Sequence, residues 1–191
     1  VRLISTSIFN NANGVRMRKC RDNCGIEDST ISGSSGYGLS IESGTDVENF
    51  IFKSSTISNN GLIIGSNLFL DFGGPADRFI NLQNSIISRG ASLRPNCEWG
   101  PNSPIHQMTG TNSIVDDSSC SPASMIVANP QLLPLADNGG FSLTHSLSAT
   151  SPALDGGNNS LCLSTDQRGF PRPVAKLMAT AQCDIGAVEI Q

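Results

Sequence analysis

The stretch STISNN (residues 55–60) carries the pattern that decides the fold: small polar residues, then isoleucine, then small polar residues again. Four more segments share this pattern: TSIFNN (6–11), STISGS (29–34), NSIISR (84–89) and NSIVDD (112–117). The marker residues are Ile8, Ile31, Ile57, Ile86 and Ile114, which lie 23, 26, 29 and 28 residues apart. A period in the twenties with one strand-like motif per repeat is typical of a solenoid.

The residues between the markers favour one kind of solenoid. Leucine-rich repeats have a similar period, but their LxxLxLxxN framework is absent from this sequence. We therefore predict an all-β fold, a right-handed parallel β-helix over residues 1–125, with about three short strands in each coil. The Ile markers should stack inward as an apolar ladder, and the Asn and Ser residues that follow them should occupy turns, where Asn tolerates a left-handed backbone.

Composition and charge limit the function. Only 15% of the 191 residues are charged and the net charge is −4, so the sequence offers no concentrated basic surface for nucleic acid. The most apolar stretch, GLIIGSNLFLDF (61–72), is interrupted by polar residues and is shorter than the ~18–20 residues of a transmembrane helix. We expect neither a nucleic-acid partner nor a transmembrane segment.

The start of the chain, VRLISTSIFNN, already has the pattern of a strand, and nothing in residues 1–5 resembles a cap. An uncovered first coil would present unpaired backbone groups, which promote aggregation. We therefore expect further coils of the same polypeptide to precede Val1 and to pack on this edge.

Six cysteines allow fifteen complete pairings. Zinc sites use CxxC pairs or Cys combined with His, and neither arrangement occurs here, so no metal is predicted. The simplest alternative is sequential pairing, which gives Cys20–Cys24, Cys97–Cys120 and Cys162–Cys183. Disulfides would place the protein in an oxidising compartment outside the cytoplasm.

The last third, residues 126–191, is rich in Pro and Gly and is predicted to be an irregular, disulfide-bonded C-terminal cap. Its segments are NPQLLPLADNGG (129–140), THSLSATSPALDGG (144–157), TDQRGFPRP (165–173) and CDIGAVE (183–189). Together they resemble the C-terminal signature of the bacterial choice-of-anchor Q surface proteins. The resemblance implies an exported right-handed β-helical protein, extracellular or on the bacterial cell surface, and implies no settled activity.

The motif TDQRGFPRP places Asp166 close to Arg168 and Arg172. In a catalytic interpretation Asp166 is a general base and the arginines bind an anionic sugar. In a structural interpretation the three residues form a buried latch. We predict the latch, because the motif belongs to the cap rather than to a face of the solenoid.

Some parallel β-helices cleave polysaccharides, so a lyase or glycoside hydrolase is the alternative function. A calcium-dependent lyase needs acidic ligands and a basic residue on one face. The candidates are Asp71, Asp77, Arg78 and Lys53, and calcium would be the only cofactor. Asp116 and Asp117 form a further acidic pair, which turn formation also explains. His106 and His145 are predicted to be structural.

The preferred prediction is a non-catalytic surface module, a stalk or adhesin that binds a polysaccharide or the surface of a host or neighbouring cell. Aromatic side chains stack on sugars, and the sequence contains a single Trp and a single Tyr. We therefore predict Trp99 and Tyr37 as ligand-binding residues, with no cofactor.

Overall fold

The computed structural model describes residues 1–18, 24–42, 49–72, 79–90, 92–101, 103, 108–120, 124–174 and 180–191. The regular structure in these residues consists of seventeen β-strands and one short 3-10 helix, Asn159–Leu161. No helix in this part of the chain is long and apolar enough to cross a membrane. The prediction of an all-β chain with parallel sheets is confirmed.

Three parallel sheets contain the first fifteen strands. The first sheet consists of β1 (Arg2–Ile4), β4 (Cys24–Glu27), β7 (Asn49–Lys53), β10 (Phe79–Gln83) and β13 (Met108–Thr111). The second consists of β2 (Ser7–Phe9), β5 (Thr30–Ser32), β8 (Thr56–Ser58), β11 (Ile86–Ser88), β14 (Ile114–Val115) and β15 (Ile126–Val127). The third consists of β3 (Val15–Arg18), β6 (Leu39–Glu42), β9 (Leu68–Asp71) and β12 (Cys97–Trp99). The chain thus visits the three sheets in turn, and each round is called a rung.

One hydrophobic core joins the three sheets. Alternate residues of each strand contribute to it, as expected for strands with one buried face. Phe52 of the first sheet, Ile57 of the second and Leu70 of the third are all at most 1% exposed. The opposite faces of the first and third sheets carry the charged residues, such as Glu27 and Lys53 on the first and Arg16 and Glu42 on the third.

The isoleucine ladder differs by one residue from the prediction. Ile8, Ile31 and Ile57 are in register, but the ladder continues through Ile87 and Val115. The predicted markers Ile86 and Ile114 pair with the Thr56 row instead. Because neighbouring residues of a strand point to opposite faces, both side chains lie on the outer face of the second sheet. There they join a second apolar cluster with residues of the chain's C-terminal part.

The corner between the first and second sheets explains the small polar residues of the motif. In all five rungs a single non-glycine residue there has a left-handed backbone, with φ between 42° and 48°. These corner residues are Ser5, Asp28, Ser54, Asn84 and Asn112. Asn and Asp tolerate this conformation better than other residues that carry a side chain.

A ladder of hydroxyl groups follows the corners. The hydroxyl of Ser55 donates to the Lys53 carbonyl (2.9 Å) and accepts the backbone N–H of Ser29 (3.3 Å). The same pair of bonds recurs at Ser29, Ser85 and Ser113. The ladder satisfies polar groups that would otherwise be buried without a partner.

The C-terminal segment, residues 128–174 and 180–191, lies along the outer face of the second sheet. The Thr30 hydroxyl donates to Gln167 (2.6 Å), and the Ala187 N–H donates to the Thr56 hydroxyl (3.1 Å). At a higher rung, Asn112 donates to the Gly156 carbonyl (2.8 Å). The segment therefore covers a side of the stack across several rungs. It contains the antiparallel pair β16 (Leu132–Ala136) and β17 (Thr144–Leu147).

Candidate binding site and placement of the predicted residues

The residues proposed for a lyase are not brought together where the structure describes them. Asp71 ends β9 of the third sheet, whereas Lys53 ends β7 of the first. Asp77 and Arg78 lie outside the described residues, and so does His106. Within the described ranges, no group of three or more His, Cys, Asp or Glu side chains is arranged to hold a metal ion.

The register of the first sheet shows how Lys53 and Asp71 are separated. After Asp71 the chain enters the first sheet at Phe79, which pairs with Asn49 at the start of β7. Lys53 pairs with Gln83 at the other end of these two strands. Lys53 and Phe79, the first described residue after the Asp71 strand, therefore lie at opposite ends of these two five-residue strands.

Asp166 and Arg168 form a buried ion pair in which both groups are held by the protein. Two Arg168 nitrogens, Nε and Nη2, donate to Asp166 Oδ2 at 2.9 and 2.6 Å. The other Asp166 oxygen accepts the backbone N–H groups of Arg168 (2.9 Å) and Phe170 (3.1 Å). Arg168 also donates to the carbonyls of Asn138 and Glu189. Both oxygens of Asp166 therefore accept hydrogen bonds from the protein itself.

Arg172 is the counter-charge of a buried acidic group. Its guanidinium, 0% exposed, lies 3.7 Å from Glu189 Oε2 and 3.9 Å from Asp28 Oδ1. Burial raises the pKa of Asp28 from its ordinary value of 3.8 to about 7, an effect that the nearby Arg172 partly offsets. Burial also raises the pKa values of Asp184 and Glu189. Arg172 therefore joins the C-terminal segment to the corner of the second rung.

Two disulfide bridges lie in the described residues, Cys97–Cys120 and Cys162–Cys183. Cys24 is also disulfide-bonded, and its predicted partner Cys20 lies outside the described residues. The Cys162–Cys183 bridge closes a loop around Asp166, Arg168 and Arg172. Closure of such a loop contributes ~3 kcal/mol in the chain-entropy treatment of disulfides.

Trp99 and Tyr37, the two predicted sugar-stacking residues, do not share a surface. Trp99 is half-buried, packs against the main core and donates its indole N–H to the Ser119 carbonyl (3.1 Å). Tyr37 lies on the outer side of the third sheet, with its ring 4.7 Å from that of Phe69. Burial and the adjacent Glu98 carboxylate raise the pKa of Tyr37.

A concave cleft of about 810 Å³ lies where the second sheet meets the C-terminal segment. One side comes from residues that follow β8, β11 and β14, and the other from β16 and the turns beside it. Its lining residues are Asn59, Ser88, Gly90, Asp116, Asn129, Gln131, Leu132, Leu133, Pro134, Ser148 and Thr150. The cleft therefore exists only because the C-terminal segment lies against the side of the stack.

Amide and hydroxyl groups supply the polar wall of the cleft. Gln131 Oε1 accepts the hydroxyl protons of Ser148 (2.8 Å) and Thr150 (2.6 Å), and Asn129 Oδ1 accepts the Gln131 N–H (2.8 Å). These bonds fix the Gln131 amide with its Nε2 group pointing away from both hydroxyls. A preorganised uncharged donor is thus available at the edge of the cleft.

Asp116 is the charged residue of the lining, and its carboxylate is fully engaged. Its oxygens accept the Ser88 hydroxyl (2.9 Å), the Arg89 N–H (3.0 Å) and the Asn96 amide (2.7 Å). The Arg89 Nε lies 3.7 Å from Asp116 and 3.5 Å from Asp117, so one guanidinium is shared by two carboxylates. The described lining of the cleft therefore contains one carboxylate and no basic side chain.

His145 fixes the apolar wall. Its Nδ1 lies 2.7 Å from the Leu133 carbonyl and its Nε2 lies 2.8 Å from the Ser32 hydroxyl, so it joins the β16–β17 pair to the second sheet. Burial lowers the pKa of His145 below its ordinary value of 6.5. The wall itself consists of Leu132, Leu133 and Pro134.

The sequence did not predict this cleft, because it does not indicate which segment lies against the second sheet. The signal that could have indicated it is the pair of apolar residues at Ile86–Ile87 and at Ile114–Val115, which predicts a covered outer face. No protein-family model, no curated protein and no solved structure matches the chain.

Proposed function

We propose that this chain is part of an extracellular or cell-surface right-handed parallel β-helix, a non-catalytic adhesin- or stalk-like module that binds a glycan in the 810 Å³ cleft. The regular return of the chain to three parallel sheets supports the β-helix. The disulfides support an oxidising compartment, and the resemblance of residues 129–189 to the choice-of-anchor Q signature supports export in bacteria.

The observation that supports the glycan proposal is that the cleft combines an apolar wall with a wall of fixed amide and hydroxyl groups. Ligand sites typically join an apolar surface to a few fixed polar groups. Sugars have C–H faces that pack on apolar side chains such as Leu133 and Pro134, and hydroxyls that accept from an amide such as Gln131. Because the described lining contains the Asp116 carboxylate and no basic side chain, an uncharged polysaccharide fits better than an acidic one.

The test is retention of the whole chain on a panel of neutral and acidic polysaccharides, with and without calcium. Retention on a neutral polysaccharide should weaken ~10-fold in Gln131→Ala, the upper range for one lost hydrogen bond. Gln83→Ala, on the outer face of the first sheet, is the matched control and should bind like the unaltered chain.

The same samples are assayed for newly formed chain ends. Cleavage that is lost in Asp71→Ala or Lys53→Ala would contradict the proposal and establish the lyase or hydrolase alternative. Retention that Gln131→Ala and Gln83→Ala weaken equally would remove the cleft as the binding site.

A further inference from the structure

Three consecutive aliphatic side chains are exposed in the connection between β8 and β9. Leu62 is 51% exposed, Ile63 is 73% exposed and Ile64 is 67% exposed. In the next rung, the connection between β11 and β12 adds Leu93, which is 97% exposed. These four residues are named the apolar tip. Contiguous exposed apolar side chains of this kind mark interaction sites more often than isolated ones do.

The two connections that form the apolar tip are in contact. The Ser92 hydroxyl donates to the Gly61 carbonyl (3.2 Å), and the Arg94 guanidinium donates to the Ile63 carbonyl (3.1 Å). Leu93 lies between these two contacts in the sequence. The tip is therefore one surface, and Arg94 is at its edge.

The backbone of the tip is already hydrogen-bonded to the rung below. The N–H of Leu62 donates to the Ser34 carbonyl (3.3 Å), and those of Ile63 and Ile64 donate to the Ser35 carbonyl (2.9 and 3.0 Å). Together with the acceptor contacts of the Gly61 and Ile63 carbonyls, these bonds satisfy five backbone groups of the loop, which lowers the cost of moving it out of water. Satisfaction of backbone groups is the main condition for entering a lipid phase.

We propose that the apolar tip inserts into the interfacial region of a lipid bilayer with anionic headgroups, where Arg94 binds lipid phosphate. This inference is independent of the glycan cleft. The tip is purely aliphatic, whereas the energetic centres of protein interfaces are rich in Trp, Tyr and Arg. Its area, on the order of a few hundred Å², is well below the ~800 Å² that each partner contributes to a stable protein interface.

The test is flotation of the whole chain with vesicles of phosphatidylglycerol and phosphatidylcholine in equal parts. The unaltered chain should float with these vesicles. Ile63→Ser combined with Ile64→Ser should weaken binding by ~10-fold or more. Each change removes the free energy that is gained when an isoleucine side chain moves from water into the apolar part of the membrane. Ile4→Ser, at an exposed isoleucine of the first sheet (55% exposed), is the matched control and should bind normally.

The role of Arg94 is tested in the same assay. Arg94→Gln should weaken binding ~5-fold to the anionic vesicles, the effect of one basic residue near such a surface, whereas Arg18→Gln should have no effect. Absence of flotation, or equal binding by the Ser variants, would overturn the proposal. Concentration-dependent dimers that the Ile63→Ser change abolishes, observed by sedimentation without lipid, would overturn it in favour of self-association.

Discussion

The stacked rungs and the C-terminal segment both bury many polar groups, but they satisfy them in different ways. In the described rungs the buried polar groups are uncharged, apart from Asp28, and many are repeated: Ser29, Ser55 and Ser85 make the same bonds one rung apart. In the C-terminal segment they are charged and unique, as in the Asp166–Arg168 pair. The contribution of a repeated neutral ladder to the free energy of unfolding is distributed over many residues. The contribution of a buried ion pair depends on a single contact.

The two regions meet at the corner of the second rung. Four of the five corner residues are Ser or Asn, and the fifth is Asp28, which faces Arg172 of the C-terminal segment. We therefore expect the attachment of the C-terminal segment to be more sensitive to pH and to single substitutions than the rungs are.

The largest expected effect comes from breaking the buried ion pair. Asp166→Ala leaves the Arg168 guanidinium buried without its carboxylate and should lower the free energy of unfolding by ~3–5 kcal/mol. Guanidinium denaturation measures the change. Arg16→Ala removes an exposed pair with Glu42 and should cost at most ~1 kcal/mol. Equal costs for the two variants would contradict the distinction between the regions.

The next effect is the pH dependence at Asp28. The pKa of Asp28 is higher in the folded protein (about 7) than its ordinary value of 3.8. Folding therefore favours the protonated form, and the stability that this group contributes is present below about pH 4 and is lost as the pH rises to about 7. Asp28→Asn should raise stability at pH 7.5 by on the order of 3 kcal/mol, and much less at pH 4.

Thermal unfolding at several pH values checks this expectation. Asp184 and Glu189 titrate in the same direction, so Asp28→Asn should reduce the pH dependence without abolishing it. His145 acts in the opposite direction, because its lowered pKa makes stability fall as the pH decreases below 6.5. Asp137→Asn, at an exposed position, is the control. A stability gain for Asp28→Asn that is the same at pH 4 and pH 7.5 would refute the assignment.

The smallest expected effect concerns the hydroxyl ladder of the rungs. Ser55→Ala removes a buried hydroxyl that bridges two rungs and should cost ~1–3 kcal/mol. Ser29→Ala and Ser85→Ala should cost similar amounts, because the three residues have equivalent partners. Urea denaturation of the three variants tests this equivalence, and costs that differ by more than ~2 kcal/mol would argue against a shared ladder.

The sequence predicts the repeats well because each rung has the same local pattern. A residue that tolerates a left-handed backbone occupies the corner, and a residue with a hydroxyl group and then an apolar residue that points into the core follow it. It fails by one residue at Ile86 and Ile87, where both side chains are apolar and the alternation of faces alone cannot assign the inward one. It fails for the C-terminal segment because contacts such as that of Thr30 with Gln167 join positions 137 residues apart. The paired apolar residues at 86–87 and 114–115 indicate that a face is covered, but they do not indicate which segment covers it. The cleft depends on those contacts, so it could not be predicted from the sequence either.

The C-terminal segment covers the outer face of the second sheet. The most direct measurement of this placement is disulfide trapping in Thr56→Cys/Ala187→Cys, since the Ala187 N–H donates to the Thr56 hydroxyl at 3.1 Å and the two residues are therefore in contact. Mass spectrometry of the oxidised protein should find residues 56 and 187 linked, and should find no link in Thr111→Cys/Ala187→Cys. Absence of the first link, or equal amounts of both links, would contradict this position of the C-terminal segment.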